Sequence, residues 1–235
     1  MSKGIVLVSG GMDSCITAAI AKSLGYDLYF LHVNYGQRTE KRELQAFYDI
    51  SSFYNAKDTM VVDISYLKKI GGSSLTDERL EVEKGELNRK GIPSTYVPFR
   101  NANILSIATS WAEVIGAEKI FIGAVEEDSS GYPDCREIFY KKFNELLTVA
   151  LAADFSVEIV TPLINLKKGE IVKKGIELKA PLHLSWSCYK REDVACGECD
   201  SCFLRLKGFM DAGEIDPIPY QKYPDFYNDF LKSSQ

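Results

Sequence analysis

The segment Ser9-Gly10-Gly11-Met12-Asp13-Ser14 places the tightest constraint on how this chain folds. Before it lies Ile5-Val6-Leu7-Val8, a β-branched run too short for a helix, which reads as a buried strand. After it lies Cys15-Ile16-Thr17-Ala18-Ala19-Ile20-Ala21, an Ala-rich stretch that reads as a helix. A strand, a glycine turn and a helix N-terminus together form a seat for phosphate. Two glycines let the backbone turn tightly and approach a ligand. The unpaired N–H groups and the positive end of the helix dipole then face the anion. Ser9 and Ser14 add hydroxyl donors, and Asp13 either holds a magnesium ion or caps the helix. The bland alternative is a strand–turn–helix of small residues with no ligand.

The segment lacks the Gly-Lys-Ser/Thr of the Walker loop. It resembles instead the pyrophosphate loop of the N-type ATP pyrophosphatases. That superfamily activates a carboxylate, amide or carbonyl oxygen with ATP, usually by adenylation. The resemblance implies an adenine nucleotide α hydrolase-like fold, with nucleotide contacts from Val8, Ser9, Gly10, Gly11, Met12, Asp13, Ser14 and Cys15. The Cys15 side chain itself reads as a small core residue.

A chain of 235 residues suits one domain with a small appendage. Its net charge of -5 argues against a nucleic-acid binder, which needs a basic stripe, so anions must be held at local sites. No apolar run approaches a membrane span, and the run near the N-terminus is too short for a signal sequence. The expectation is a cytoplasmic protein with reduced cysteines, small-molecule substrates, and neither nucleic acid nor membrane as partner.

Strand and helix patterns then alternate. Strands are expected at 27–33, 60–64, 120–124 and 157–160, and helices at 38–54, 102–115, 138–152 and 168–178. Residues 71–96 are glycine-rich and charged, and read as a long loop with a short helix at 77–84. Such alternation predicts an α/β fold, a doubly wound parallel five-stranded sheet covered on both faces. The domain takes residues 1–180, a metal-binding segment 181–213, and a tail rich in proline and aromatic residues 214–235, which packs on the core or on a partner subunit. Ligands of such sheets sit beyond the carboxyl ends of the strands. Residues 9–14, 34–38, 125–136 and 161–168 therefore share one edge.

Three of these segments, and the start of the helix near residue 100, hold further candidates. Asn34-Tyr35-Gly36-Gln37-Arg38 is either a substrate loop or a plain turn before a charged helix start. Arg100-Asn101 opens a helix, where Asn101 is a candidate cap. Residues 126–136 carry Glu126, Asp128, Tyr132, Asp134 and Arg136; a carboxylate there suits the donor edge of a guanine-like ring, and an arginine suits a substrate carboxylate. The bland reading is a solvated acidic turn. Lys167 and Lys168 put positive charge after strand five, one of them as an ordinary helix start. His32 and His183 read as packed or surface histidines.

Cys188-x7-Cys196-x2-Cys199-x2-Cys202 places four thiols within fifteen positions, with Gly197 in the tight knuckle. The spacing suits tetrahedral zinc in a closed structural site, and the triple C-x2-C-x2-C also resembles part of an iron–sulfur run.

Taken together, these stretches resemble the 7-cyano-7-deazaguanine synthases, from residue 3 to about 210. The likeness rests on Ser9–Ser14, Tyr35–Arg38, Ser94–Val97 with Arg100-Asn101, Ser130–Arg136, Thr161–Leu163 with Lys168, and Cys188-Tyr189 with the three later cysteines. Thr39, Val125, Glu127 and Lys190-Arg191 depart from the family's usual residues. The resemblance implies conversion of 7-carboxy-7-deazaguanine and ammonia to the nitrile with ATP and magnesium, structural zinc, and commonly a homodimer. It implies Asp13, Ser14 and Lys168 as the catalytic residues. The deazaguanine would be framed by Tyr35, Gln37, Arg38, Arg100, Asn101, Glu126, Asp128, Tyr132, Asp134 and Arg136.

Overall fold

The structure, a computed structural model, describes residues 2–82, 91–126 and 132–233. Five strands form one sheet: β1 (Lys3–Leu7), β2 (Asp27–Asn34), β3 (Asp58–Asp63), β4 (Lys119–Ile122) and β5 (Glu158–Val160). All four pairings are parallel, in the order β3-β2-β1-β4-β5. The helices are α1 (Met12–Ser23), α2 (Glu40–Tyr54), α3 (Tyr66–Ile70), α4 (Arg100–Ile115), α5 (Glu137–Ala150), α6 (Lys168–Glu177), α7 (Asp200–Ala212) and α8 (Asp225–Ser233).

The central strands β1, β2 and β4 read as largely apolar runs because both faces are covered, whereas edge strand β3 is largely exposed. The period-2 alternation sends neighbours to opposite cores. Ile5 and Leu7 face a core built with Leu105, Ala108 and Trp111 of α4 and Tyr140 and Leu147 of α5. Val6 and Val8 face the other core, with Cys15 and Ala18 of α1 and Phe47 and Ile50 of α2. The chain winds from β1 toward β3 on one side and toward β5 on the other. The switch point therefore falls between β1 and β4, where such sheets open a crevice for ligands.

Three expectations change. The short helix at 77–84 is absent from its described part, since residues 77–82 hold a turn at 78–79 and no helix; residues 83 and 84 lie outside the described residues. The helix expected from Arg38 starts at Glu40, and strand four ends at Ile122, so the residues between belong to site loops. Helices α3, α7 and α8 had no counterpart in the sequence reading.

The end of the chain is packed on the core. Tyr227 of α8 is buried against Phe209 of α7 and Ile171 of α6. Beneath them Arg205 of α7 forms a fork with Asp216, Nε to Oδ2 at 2.7 Å and Nη2 to Oδ1 at 2.9 Å, both side chains 1% exposed. Ser185 Oγ, Ser187 Oγ and the Leu182 carbonyl accept the remaining guanidinium protons, and Tyr220 donates to Asp216. Losing one partner of such a pair leaves an uncompensated buried charge, at about 3–5 kcal/mol. This pair thereby ties residues 182–187, α7 and the start of the tail together. None of the described helices is long and apolar enough to cross a membrane.

Candidate active site

The glycine turn lies between β1 and α1, at the sheet's switch point. Gly10 has φ +89°, and a Cβ there would stand 2.4 Å from the Glu43 carbonyl oxygen. Gly11, the residue before α1, has φ -77°, and a Cβ on it would meet only Ser9 Oγ at 3.3 Å and the Trp186 carbonyl at 3.7 Å. So the first glycine is demanded by the fold, while the second leaves its space open toward a ligand. The Ser9 hydroxyl accepts the Gly11 N–H and donates to Ser14 Oγ, and Ser14 donates to the Gly11 carbonyl. Asp13 is not a cap. It sits in the first turn of α1, and its carboxylate takes Lys168 Nζ at 3.0 Å. Lys168 opens α6, so the segment after β5 meets the loop after β1, while Lys167 beside it is exposed.

The loop lines a cavity of about 520 Å³. Ser9, Gly11, Met12, Asp13, Ser14, Tyr35, Arg100, Asn101, Tyr132 and Lys168 all border it. Lys167 does too, beside Lys168. Other expected residues stand elsewhere. Arg38 donates to the Ser74, Asp77 and Leu80 carbonyls, holding the long loop rather than the cavity. Gln37 accepts the Tyr35 N–H and donates to Glu43, a contact that shapes the wall from behind. Glu126 accepts the N–H of Glu137 at 2.8 Å, where a carboxylate meets the positive end of α5. Asp134 does the same for α4, accepting the Asn101 N–H at 3.0 Å. Asn101 is accordingly not the cap; its side chain donates to the Asp134 carbonyl and to Cys135 Sγ. Arg136 is exposed and donates to the Pro133 carbonyl. Asp128 lies outside the described residues.

The cavity also has walls to which the sequence reading gave no site role. Glu43, Thr95, Ile104 and Cys135 border it, and so do Trp186, Ser187, Tyr189, Asp200 and Ser201. Glu43 follows the charged helix start of α2 and looked like solvated surface. It is enclosed, and burial pushes its carboxyl up to about 7, although Thr39 and Gln37 donate to it and pull it back. Arg100 is held charged against burial by the phenols, the thiol and the carboxylate around it, and burial raises the Tyr35 hydroxyl beyond its ordinary range. His32 is buried between the Val8 carbonyl and Asn34 Oδ1, and burial lowers it; His183 is exposed.

Behind the Trp186 wall lies the cysteine cluster. The four Sγ atoms of Cys188, Cys196, Cys199 and Cys202 lie within 4.8 Å of one another, all buried. Cys196 Sγ and Cys202 Sγ are 3.9 Å apart, against about 3.8 Å for thiolates at tetrahedral corners 2.3 Å from zinc. Backbone N–H groups of Lys190 and Cys196 reach Cys188 Sγ, and those of Glu198 and Cys199 reach Cys196 Sγ. Such donors stabilise thiolates. Gly197 has φ +77°, and a Cβ there would run into the Lys222 carbonyl at 1.7 Å, so the knuckle admits only glycine. The donor set fits a four-coordinate metal with no open position.

Fold and site define a class: a nucleotide-binding, doubly wound α/β protein with a closed metal-binding segment against its ligand cavity. The chain belongs to the family of queuosine biosynthesis protein QueC, whose family model matches residues 3–213. It is 58% identical over 224 residues to the 7-cyano-7-deazaguanine synthase of Chlorobium chlorochromatii, covering 95% of this chain and 98% of that one. The synthase of Chloroherpeton thalassium is also 58% identical, with 95% and 99% covered. Among solved structures, an NMN synthetase from Francisella tularensis superposes with TM-score 0.45 at 15% identity, covering 100% of this chain and 78% of that chain.

Two outcomes follow from the loop and from Glu43. Gly11→Ala should fold as the parent does and weaken ATP binding by about tenfold or more, whereas Gly10→Ala should lose thermal stability first. Calorimetric titration with ATP beside a melting curve reads both. Full ATP affinity in folded Gly11→Ala would exclude the loop as the phosphate seat. For Glu43, the folded chain keeps a proton from the usual 4.5 up to about 7, while the unfolded chain releases it. Its contribution to stability is whole below the lower value and is lost as pH rises through the upper one. Glu43→Gln removes that dependence, so the melting temperature of the variant relative to the parent should rise between about pH 5 and pH 8. A pH-independent difference would contradict the assignment.

Proposed function

We propose that this protein converts 7-carboxy-7-deazaguanine and ammonia to 7-cyano-7-deazaguanine at the expense of ATP. The observation that carries this reading is a single cavity in which a phosphate-type glycine loop meets a wall of arginine, asparagine and tyrosines. Near-complete alignment with synthases of that name supports the choice of substrate.

The chemistry accounts for the parts. A carboxylate is a poor electrophile because its oxygen leaves badly. Transfer of AMP to that oxygen gives an acyl adenylate that ammonia attacks. The Ser9–Ser14 backbone, with Lys168, would hold the departing pyrophosphate and stabilise charge as it develops. Magnesium, held with the help of Asp13, would offset phosphate charge. Tyr35, Arg100, Asn101 and Tyr132 would frame the deazaguanine, with Gln37 and Asp134 positioning the wall from behind. A carboxylate carries two oxygens and a nitrile none. Replacing the first by ammonia leaves an amide, and removing the second is a dehydration that also needs an activated oxygen. One adenylating cavity would serve both steps.

The four thiols would hold structural zinc, supported by their spacing, burial and N–H donors. The reading includes a cytoplasmic setting, which suits thiols kept reduced, small molecules rather than nucleic acid as substrates, and a homodimer. Exposed apolar side chains on one helical layer, Val114 of α4 and Val149 of α5, support a protein-facing surface there.

Incubation of the pure protein with ATP, ammonia and the carboxylic acid should yield the nitrile by mass spectrometry. The synthetic amide should be converted with ATP and without ammonia. An inert amide that never appears in single-turnover mixtures would refute double activation, and an inert acid would refute the reading itself. Elemental analysis should give about one zinc per chain. Iron with labile sulfide would replace zinc by a cluster.

A further inference from the structure

Arg100 opens α4 and borders the cavity. Its guanidinium lies 5.1 Å from the centre of the Tyr35 ring. One terminal nitrogen donates to the Tyr35 hydroxyl at 3.3 Å and the other to Asn101 Oδ1 at 3.4 Å, both long for charged donors. Its Nε is buried and meets no acceptor among the described residues. The carboxylates near enough to feel Arg100 are committed elsewhere. Asp134 accepts the Asn101 N–H, and Glu43 is held by Thr39 and Gln37. The other buried cations of the cavity wall have their acids: Lys168 has Asp13 and Arg205 has Asp216. A buried guanidinium with an unused donor is costly to hold, and an anion in the cavity would relieve it.

We infer that Arg100 takes the carboxylate of the substrate, and that it is the residue by which the site tells the acid from the neutral amide. The inference rests on the proposed reaction. Phosphates have their own seat at the glycine loop, and the ring of a deazaguanine is uncharged. The carboxylate is the one group left that matches a planar fork of donors. Two parallel bonds use one lone pair on each carboxylate oxygen and leave another free, so the oxygen can still attack phosphorus. In the amide an N–H₂ donor replaces one oxygen. It would face the cation with protons and keep a single bond.

Equilibrium binding of the acid and of the synthetic amide to the full chain, without nucleotide, tests this. ATP affinity and melting temperature serve as the check on folding. Wild type should hold the acid more tightly than the amide. Arg100→Gln should weaken the acid by about tenfold to a hundredfold and the amide by no more than about threefold. Arg100→Lys keeps the charge and loses the fork, and should fall between. Should the glutamine variant fail to fold, the lysine variant decides by the same acid-to-amide ratio. Equal losses for both ligands, or no loss for the acid, would overturn the assignment and leave the reaction standing. A wild-type chain that binds neither ligand overturns the substrate reading and this assignment together.

Discussion

Three parts of the chain meet at the backbone of Gly10. Its positive φ turns the loop out of β1, the Glu43 carbonyl fills the place of a side chain, and its own carbonyl accepts the Trp186 N–H at 2.8 Å. The glycine loop is thus clamped between the first turn of α2 and the segment that leads into the cysteines. Neither neighbour is close in sequence. Both must be folded before the loop has one conformation, because among the described residues the two serines bond to each other and to the loop's own backbone.

That clamp gives the metal segment a place in the site although it carries none of the expected reacting groups. Thr39 donates to the Cys188 carbonyl, and the Trp186 indole donates to the Arg191 carbonyl. Cys199 caps α7, Cys202 lies in its first turn, and Asp200 and Ser201 between them border the cavity. Four buried thiols are a poor core on their own, since unpaired thiolates repel and thiols bond weakly. A metal bound there would supply folding free energy to this segment. The same free energy would help to hold the far wall of the cavity and the contact of Trp186 with Gly10. Arg205 and Asp216 extend the brace to the tail, so residues beyond the family match still support the site.

Much of this was legible because local chemistry dictated it. The central strands are apolar runs buried on both faces, the glycine loop has one geometry, and four cysteines at metal spacing have few other uses. What was not legible depends on direction and on long-range closure. Arg38, Glu126 and Arg136 sit in the right loops, but sequence does not say whether a side chain points into the crevice or back onto a helix end. Backbone carbonyls at 74–80 and the N-terminus of α5 were the stronger attractions. Glu43 carried a weak signal, a carboxylate one helical turn from Thr39 whose partner was hidden until Gln37 folded over it. Helix α7 escaped notice because its first turn is occupied by cysteines rather than by an apolar period.

The distribution of charge in the cavity gives a reason for its shape. Phosphate chemistry concentrates negative charge, so a site that also admits a carboxylate must keep two anions from repelling each other until they react. The structure separates the cations accordingly. Lys168 stands at the loop with Asp13 beside it, which keeps that end close to neutral before nucleotide binds. Arg100 stands on α4 and donates to two neutral acceptors at long distance, so that end stays positive. Glu43, between α2 and the Tyr35 loop, is pushed up to about 7 by burial and therefore carries only part of its charge near neutral pH, less than an ordinary carboxylate. On the proposed reaction, a second anion would be drawn to Arg100 and the phosphates to the loop. Their encounter would fall between two fixed cations, where the charge that develops on the transferred group would be met by preorganised donors.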